Sequence, residues 1–369
     1  MDRWENCRNL LLIRLDNMGD VIMNNAAFEA CKEQIPKCKL TLLTSSMAAP
    51  IVPYLQTIDD CIIFDVPWMK SNGADPNMDY LALIERIKSF HFDGCILFSV
   101  YSQNIFPAAL LAYLAGIPLR GGYARENPYL LLTHWIPDRE PLCLIHHQIK
   151  RDLLLLQHLG LQVDTTRLPR IQIPRTTADA AKLLKKIGVQ QPFIIINFDV
   201  SDSKRQFPAA QANLLIKTCL AAGYTLVFTG VKRNEYLESC MSGIGNERFF
   251  NVVENTSIHE LILLIAQSEA IISVNTGLAH IACAMRRPVC VLYANSNPQH
   301  GPWTQNSLQL SYEIQEEYKS KNEIIRYVDR TCQPSIASAP MSLGAIVQQS
   351  LNWLTAVTTA SIRSNSQKL

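Results

Sequence analysis

The 369-residue sequence contains no long apolar run, no paired-cysteine motif, no clustered metal ligands and no nucleotide P-loop. Each absence removes a class of protein. The longest apolar stretches, such as residues 107–118 and 261–266, fall short of the ~20 residues that cross a bilayer. The eleven cysteines include no Cys-x-x-Cys pair and sit mostly inside runs such as Cys61-Ile-Ile-Phe64 and Cys95-Ile-Leu-Phe98. An odd count in that setting predicts buried thiols in a reducing compartment. There is no Asp-x-Asp and no His-x-x-x-His, so a dedicated metal site is not expected. Gly-x-Gly-x-x-Gly, Gly-x-x-x-x-Gly-Lys-[Ser/Thr] and Gly-x-Ser-x-Gly are all missing, which argues against a Rossmann dinucleotide fingerprint, a P-loop and a hydrolase elbow. Charged residues make up 18%, the formal net charge is only +2, and no basic stripe is interleaved with aromatics. Nucleic acid is therefore not an expected partner. The opening Met-Asp-Arg-Trp-Glu-Asn has no signal-peptide pattern, and a cytoplasmic chain is expected.

What is present is apolar sequence cut into short lengths. The length exceeds the ~250–300 residues at which one core stops growing, so two domains are expected. Apolar runs over 9–15, 39–44, 61–64, 94–99 and 119–123 predict strands. Helix-period segments over 21–35, 47–55, 78–90, 104–115 and 144–159 alternate with them. The second half repeats the alternation, with strands over 193–197, 225–229, 249–252, 270–274 and 289–293. Its helices are expected over 208–222, 234–242, 258–267, 278–286 and 342–357, before a frayed tail from Thr358. Such alternation is the signature of doubly wound parallel α/β domains. The polar, proline-containing residues 162–174 read as a linker, which divides the chain into domains 1–170 and 171–340 with a C-terminal segment 341–369. No fixed-period repeat relates the halves.

One stretch stands out, Ala270-Ile-Ile-Ser-Val-Asn275-Thr276-Gly277-Leu278-Ala279-His280. A buried strand ends in a polar turn and a small-residue helix begins. Thr276 is placed to cap that helix, which leaves the N–H groups of Gly277, Leu278 and Ala279 for an anion. An ordinary capped junction, with His280 packed on the sheet, is the alternative. Asp20, in Asp16-Asn-Met-Gly-Asp20, is either a first-turn helix acid or a carboxylate able to take a proton from a hydroxyl. The hydroxyls and cations of 199–208, with Pro208 at the first helical position, suit a phosphate or a solvated turn. Glu235 follows a strand too, as a helix-start acid or a ligand contact. His146 and His147, adjacent on the expected helix 144–159, cannot face one metal.

Taken in order, these stretches resemble glycosyltransferase family 9, the lipopolysaccharide heptosyltransferase family. Leu12-Ile-Arg-Leu-Asp-Asn-Met-Gly-Asp-Val21 is similar to its opening strand and Gly-Asp loop. Leu119-Arg-Gly-Gly-Tyr123, the segment His147 to Leu161, Arg205-Gln-Phe-Pro208, Asn275-Thr-Gly-Leu-Ala-His280 and the loop from Asn297-Pro298 to Gly301-Pro302 resemble later segments. The resemblance implies a GT-B fold, two Rossmann-like domains facing across a cleft, with the C-terminal helix packed back on the first domain. It implies an inverting transfer without metal or other cofactor, from an ADP-linked, heptose-like donor to a glycan or lipopolysaccharide-core acceptor, with possible peripheral contact at the cytoplasmic face of the inner membrane. Asp20 would match the general base. Arg205, Glu235, Asn275, Thr276, Gly277, Leu278 and His280 would hold the donor. Asn275 stands where the family usually has Asp, and Ala294-Asn295 where it commonly has Gly-Pro. A nucleotide-sugar-binding protein without transfer, and an epimerase or phosphorylase of the same architecture, are the alternatives.

Overall fold

The computed structural model describes residues 4–69, 79–172, 177–200, 202–294, 297–331 and 340–366. Ser201, Asn295 and parts of the loop 67–76 and the linker 162–174 lie outside the described residues. The chain divides into two units, Met1–Gln172 and Ile173–Leu369.

The first unit runs β1 (Asn9–Arg14), α1 (Met18–Gln34), β2 (Lys39–Thr44), β3 (Asp60–Ile63), α2 (Tyr80–Ser89), β4 (Gly94–Leu97), α3 (Phe106–Leu114), β5 (Leu119–Ala124), β6 (His134–Pro137) and α4 (Gln148–His158). The strands form one parallel sheet in the order β3-β2-β1-β4-β5-β6, with Leu10 opposite both Leu40 and Gly94. Leu10, Leu11 and Leu12 are all fully buried because a parallel strand is covered on both faces. Gly121 and Gly122 of β5 are needed for close approach. A Cβ at Gly122 would stand 2.5 Å from Ile105 Cδ1 and 3.3 Å from the Leu97 carbonyl oxygen.

The second unit runs α5 (Thr177–Ile187), β7 (Ile194–Asn197), α6 (Ala209–Ala221), β8 (Leu226–Thr229), α7 (Glu235–Met241), β9 (Phe249–Asn251), α8 (Ile258–Gln267), β10 (Ala270–Val274), α9 (Gly277–Ala284), β11 (Val289–Ala294), β12 (Ser307–Tyr312), α10 (Glu323–Thr331) and α11 (Leu343–Ser366). Its sheet is also wholly parallel, in the order β12-β11-β10-β7-β8-β9. Numbered within each unit, both sheets read 3-2-1-4-5-6, the Rossmann order. The halves therefore share a topology that no sequence period announces. α11 packs on α6, β10 and β12 and adds Ile346, Val347 and Leu354 to the second core.

Several expectations are corrected. Residues 47–55 form a 3-10 turn (Ala49–Tyr54), since Pro50 and Pro53 remove two amide donors. β6 and β12 are not among the expected strands, because both are sheet edges whose half-exposed residues interrupt any apolar run. α5 was not expected at all. Pro208 is the N-cap of α6 and not its first helical residue. α4 begins at Gln148, so His147 is its N-cap, with a ring nitrogen accepting from the Ile149 amide at 3.3 Å. Thr358 lies inside α11, bonded to the Leu354 carbonyl at 2.9 Å, and does not start a frayed tail. Among the described residues the cysteines are unpaired thiols, as expected, and burial pushes Cys219 and Cys290 up to about 12. No described helix is long and apolar enough to cross a membrane.

Gly122→Val should destabilise the first unit by about 1–3 kcal/mol, the usual cost of overpacking a core. Urea unfolding at constant m-value would measure it, and an unchanged midpoint would contradict the packing described.

Candidate functional site

The Rossmann order has a switch point where consecutive crossovers leave a sheet in opposite directions, and ligands bind there at the carboxyl ends of the strands. In the first unit this is β1 and β4. In the second it is β7 and β10. Asp20 falls at the first of these places, and Arg205 and Asn275 to His280 at the second, while Glu235 follows β8, the next strand along.

In the first unit, Arg14 ends β1 with its side chain fully buried. Its Nη2 donates to Asp20 Oδ1 at 2.8 Å, and its Nε lies 2.7 Å from Asp16 Oδ2. Asp20 sits in the first turn of α1 and is 8% exposed. Gln103, from the loop after β4, donates to Asp16 Oδ1, and Ser45 Oγ bonds the Asp16 carbonyl at 2.6 Å. The packing of α1 against α4 brings in Asp152, 2% exposed, which accepts from Asn24 at 2.5 Å and Gln148 at 2.7 Å. Beside it, Arg151 grips Asp138 through two bonds of 2.8 and 3.0 Å, lies 3.5 Å from Glu140, and stacks over Tyr123 at 4.4 Å. A pocket of about 130 Å³, lined by Gln103, Asn104, Tyr123, Arg125, Glu126 and Asp138, opens at the same strand ends.

Burial dominates the electrostatics. It pushes the Asp16 carboxyl up to about 6 and Asp152 to about 7, in both cases against the pull of Arg14. Glu140 is raised to about 7 by burial, against the pull of Arg151. Burial disfavours the charge on Arg14, yet Asp16, Asp20 and Asp152 together hold its pKa above the usual arginine value.

In the second unit, β10 ends at the half-buried turn Asn275-Thr276. Thr276 takes N-cap backbone geometry, but its side chain makes no capping bond; its hydroxyl lies 3.4 Å from Ser273 Oγ. The Ala279 N–H, expected to be free, donates to the Thr276 carbonyl at 3.1 Å. Of the three amides expected to be free, those of Gly277 and Leu278 have no acceptor within the helix. The Leu278 side chain is buried and contributes only backbone. His280 is buried and stacked on Trp303 at 5.5 Å, with His300 edge-on at 6.4 Å.

Arg205 ends a 3-10 turn after β7, partly exposed. Its carbonyl accepts from Tyr312 at 3.0 Å, and Phe207, fully buried between Phe198 and Tyr312, fixes the segment. Asp199 Oδ2 accepts the Val231 amide at 2.7 Å, tying the loops after β7 and β8 together. Glu235 is the exposed first residue of α7, which Asn234 caps through the Leu237 amide. Sequence reasoning missed Arg14, Asp152, Gln148 and Trp303. The available signal was charge inside apolar sequence, as in Leu-Leu-Leu-Ile-Arg14 and Arg151-Asp152-Leu-Leu-Leu-Leu156.

The family model described as glycosyltransferase family 9 (heptosyltransferase) matches residues 80–326, well over half of the chain. The chain belongs to glycosyltransferase family 9. Lipopolysaccharide heptosyltransferase 2 of Escherichia coli K12 is 22% identical over 306 residues, covering 79% of this chain and 84% of that protein. The solved E. coli ADP-heptose lipopolysaccharide heptosyltransferase II is similar with a TM-score of 0.70 and 18% identity, over 96% of this chain and 99% of that one. An E. coli heptosyltransferase solved with ADP-2-deoxy-2-fluoro heptose has a TM-score of 0.60 at 16% identity, over 88% and 98%. The fold is accordingly the GT-B class, and the protein is a family 9 glycosyltransferase. The matched span takes in Arg205, Glu235 and 275–280 and leaves out Asp20.

The raised carboxyls give this family 9 protein a pH signature. Asp16, Asp152 and Glu140 bind protons more tightly folded than unfolded, where carboxyls titrate near ~4. Their contribution is complete below that value and is lost as pH rises through about 6 to 7. The unfolding free energy should therefore fall between about pH 5 and 8 by on the order of 1 kcal/mol or more, and the urea midpoint with it. A midpoint rising across that window would refute the assignment.

Proposed function

We propose that this glycosyltransferase moves a heptose-like sugar from an ADP-linked donor to a lipopolysaccharide-core-type acceptor, with inversion and without a metal. The observation that carries the reading is Asp20, a carboxylate at the switch point of the first sheet, oriented by a 2.8 Å bond from buried Arg14. Asp20 takes the proton of the acceptor hydroxyl as that oxygen attacks the anomeric carbon from the face opposite the diphosphate. The carbon–oxygen bond to the diphosphate breaks, and the nucleoside diphosphate leaves with the electron pair. The amides of Gly277 and Leu278, the N-terminal end of α9 and the Arg205 guanidinium meet the charge that develops on it, so fixed dipoles do the work a metal would otherwise do. Glu235 contacts the nucleoside, Asn275 and Thr276 line the donor turn, and His280, held by Trp303, shapes it from behind. The relatives' names, heptosyltransferase and ADP-heptose heptosyltransferase, support the donor class. A glycolipid acceptor would place the work at the cytoplasmic face of a membrane.

Asp20→Asn keeps shape and first-turn polarity but removes basicity. Turnover should fall by about 10²–10⁴ while the melting temperature and donor affinity stay near wild type. Retained turnover per folded molecule would show that Asp20 is only structural. Transfer should also survive EDTA; loss on chelation with recovery on adding Mg²⁺ or Mn²⁺ would overturn the metal-free mechanism.

A further inference from the structure

Two buried carboxylates, Asp20 and Asp152, and the half-buried Asp16 act on one buried guanidinium, that of Arg14. Among the described residues, the ion pairs of Arg14 are with Asp16 and Asp20. Asp152 acts on both Arg14 and Asp20 from α4 without an ion-pair contact to either among the described residues. Its own bonds come from two neutral amides, Asn24 and Gln148. Asn24 lies one helical turn after Asp20, so the two side chains share a face of α1. The neighbouring cation Arg151 is already engaged by Asp138 and Glu140. The cluster thus carries surplus negative charge in a dry place, where like charges disfavour full ionisation.

We infer that Asp152 is a positioning residue for the reaction: its buried carboxylate, fixed by Asn24 and Gln148, governs how Arg14 holds Asp20 and sets the basicity of Asp20 through its own charge. Ionised, Asp152 draws on the Arg14 field and repels negative charge at Asp20, which makes Asp20 the stronger base. Protonated, it leaves Arg14 to Asp16 and Asp20, and Asp20 holds its proton less tightly. The groups that set the state of Asp152 are Arg14 from β1, Asp20 from α1, Arg151 from α4 itself and Tyr123 from β5, with Asp16 behind Arg14 and Asp138 and Glu140 behind Arg151. The protonation of such a cluster belongs to the group as a whole. Only the kinetic arm of the test rests on the reading of Asp20 as base.

Asp152→Asn is a mild change here. Asn24 Oδ1 and Gln148 Oε1 are buried without partners, so a flip of either amide presents an acceptor to the new N–H group. The measurement is the carboxyl ¹³C shift of Asp20 against pH in the full chain labelled with ¹³C-aspartate, assigned with Asp20→Asn and Asp16→Asn. In wild type the Asp20 signal should carry an inflection from Asp152 besides that from Asp16, and Asp152→Asn should remove it and lower the Asp20 midpoint by about one pH unit, the direction in which a lost like charge acts. An unchanged midpoint overturns the inference. Should the variant not fold, a wild-type Asp20 signal with no inflection where Asp152 titrates overturns it equally. Rates with an ADP-heptose donor separate the two readings. If the acid limb of kcat/KM moves down with the Asp20 midpoint, both stand. If the midpoint moves and the limb does not, the coupling stands and Asp20 is not the base.

Discussion

Everything chemical in this protein depends on the parallel pairing of its strands. A parallel sheet is covered on both faces, so side chains with reactive work to do are confined to the strand ends. The shared 3-2-1-4-5-6 order then singles out one such place in each unit. Asp16 and Asp20 follow β1, Gln103 follows β4, Arg205 follows β7, and Asn275 to His280 follow β10. Residues far apart in sequence meet because the crossovers part there.

The two units furnish those places with opposite electrostatics. The first concentrates formal charge around a guanidinium that water does not reach, and desolvation weighs against every ion in it. Its order comes from amide bonds, such as those of Asn24 and Gln148 to Asp152, which fix geometry without adding charge. Among the described residues, the second has no comparable ion cluster at its switch point. Backbone amides and a helix dipole face the turn, and aromatic packing of Phe207 against Tyr312 and of His280 against Trp303 holds the loops in place. A permanent cluster suits proton exchange, and a neutral cradle suits an anion that arrives and departs.

Much of this was legible in the chain. Central strands announce themselves as apolar runs, so β2, α8 and β10 fall where expected, at Lys39–Thr44, Ile258–Gln267 and Ala270–Val274. The ordered motifs pointed to the family that the match over 80–326 bears out. The edges β6 and β12 were not legible, because an edge strand is half exposed and its pattern is that of a loop. Asp20 could be singled out from its loop, but its partners could not. The bond from Asn24 to Asp152 joins residues 128 apart and depends on how α1 lies against α4. The cap expected from Thr276 failed for a local reason, since its hydroxyl lies toward Ser273.

α11 closes the core of the second unit over α6, β10 and β12, and it follows all of them in the chain. During synthesis those elements must wait, their apolar surface uncovered, until Ile346, Val347 and Leu354 emerge. The first sheet needs nothing beyond its own segment and can be complete by then. α6 emerges first of the three and waits longest, which makes it the part of this core most open to misassembly and the part for which a chaperone has most to do.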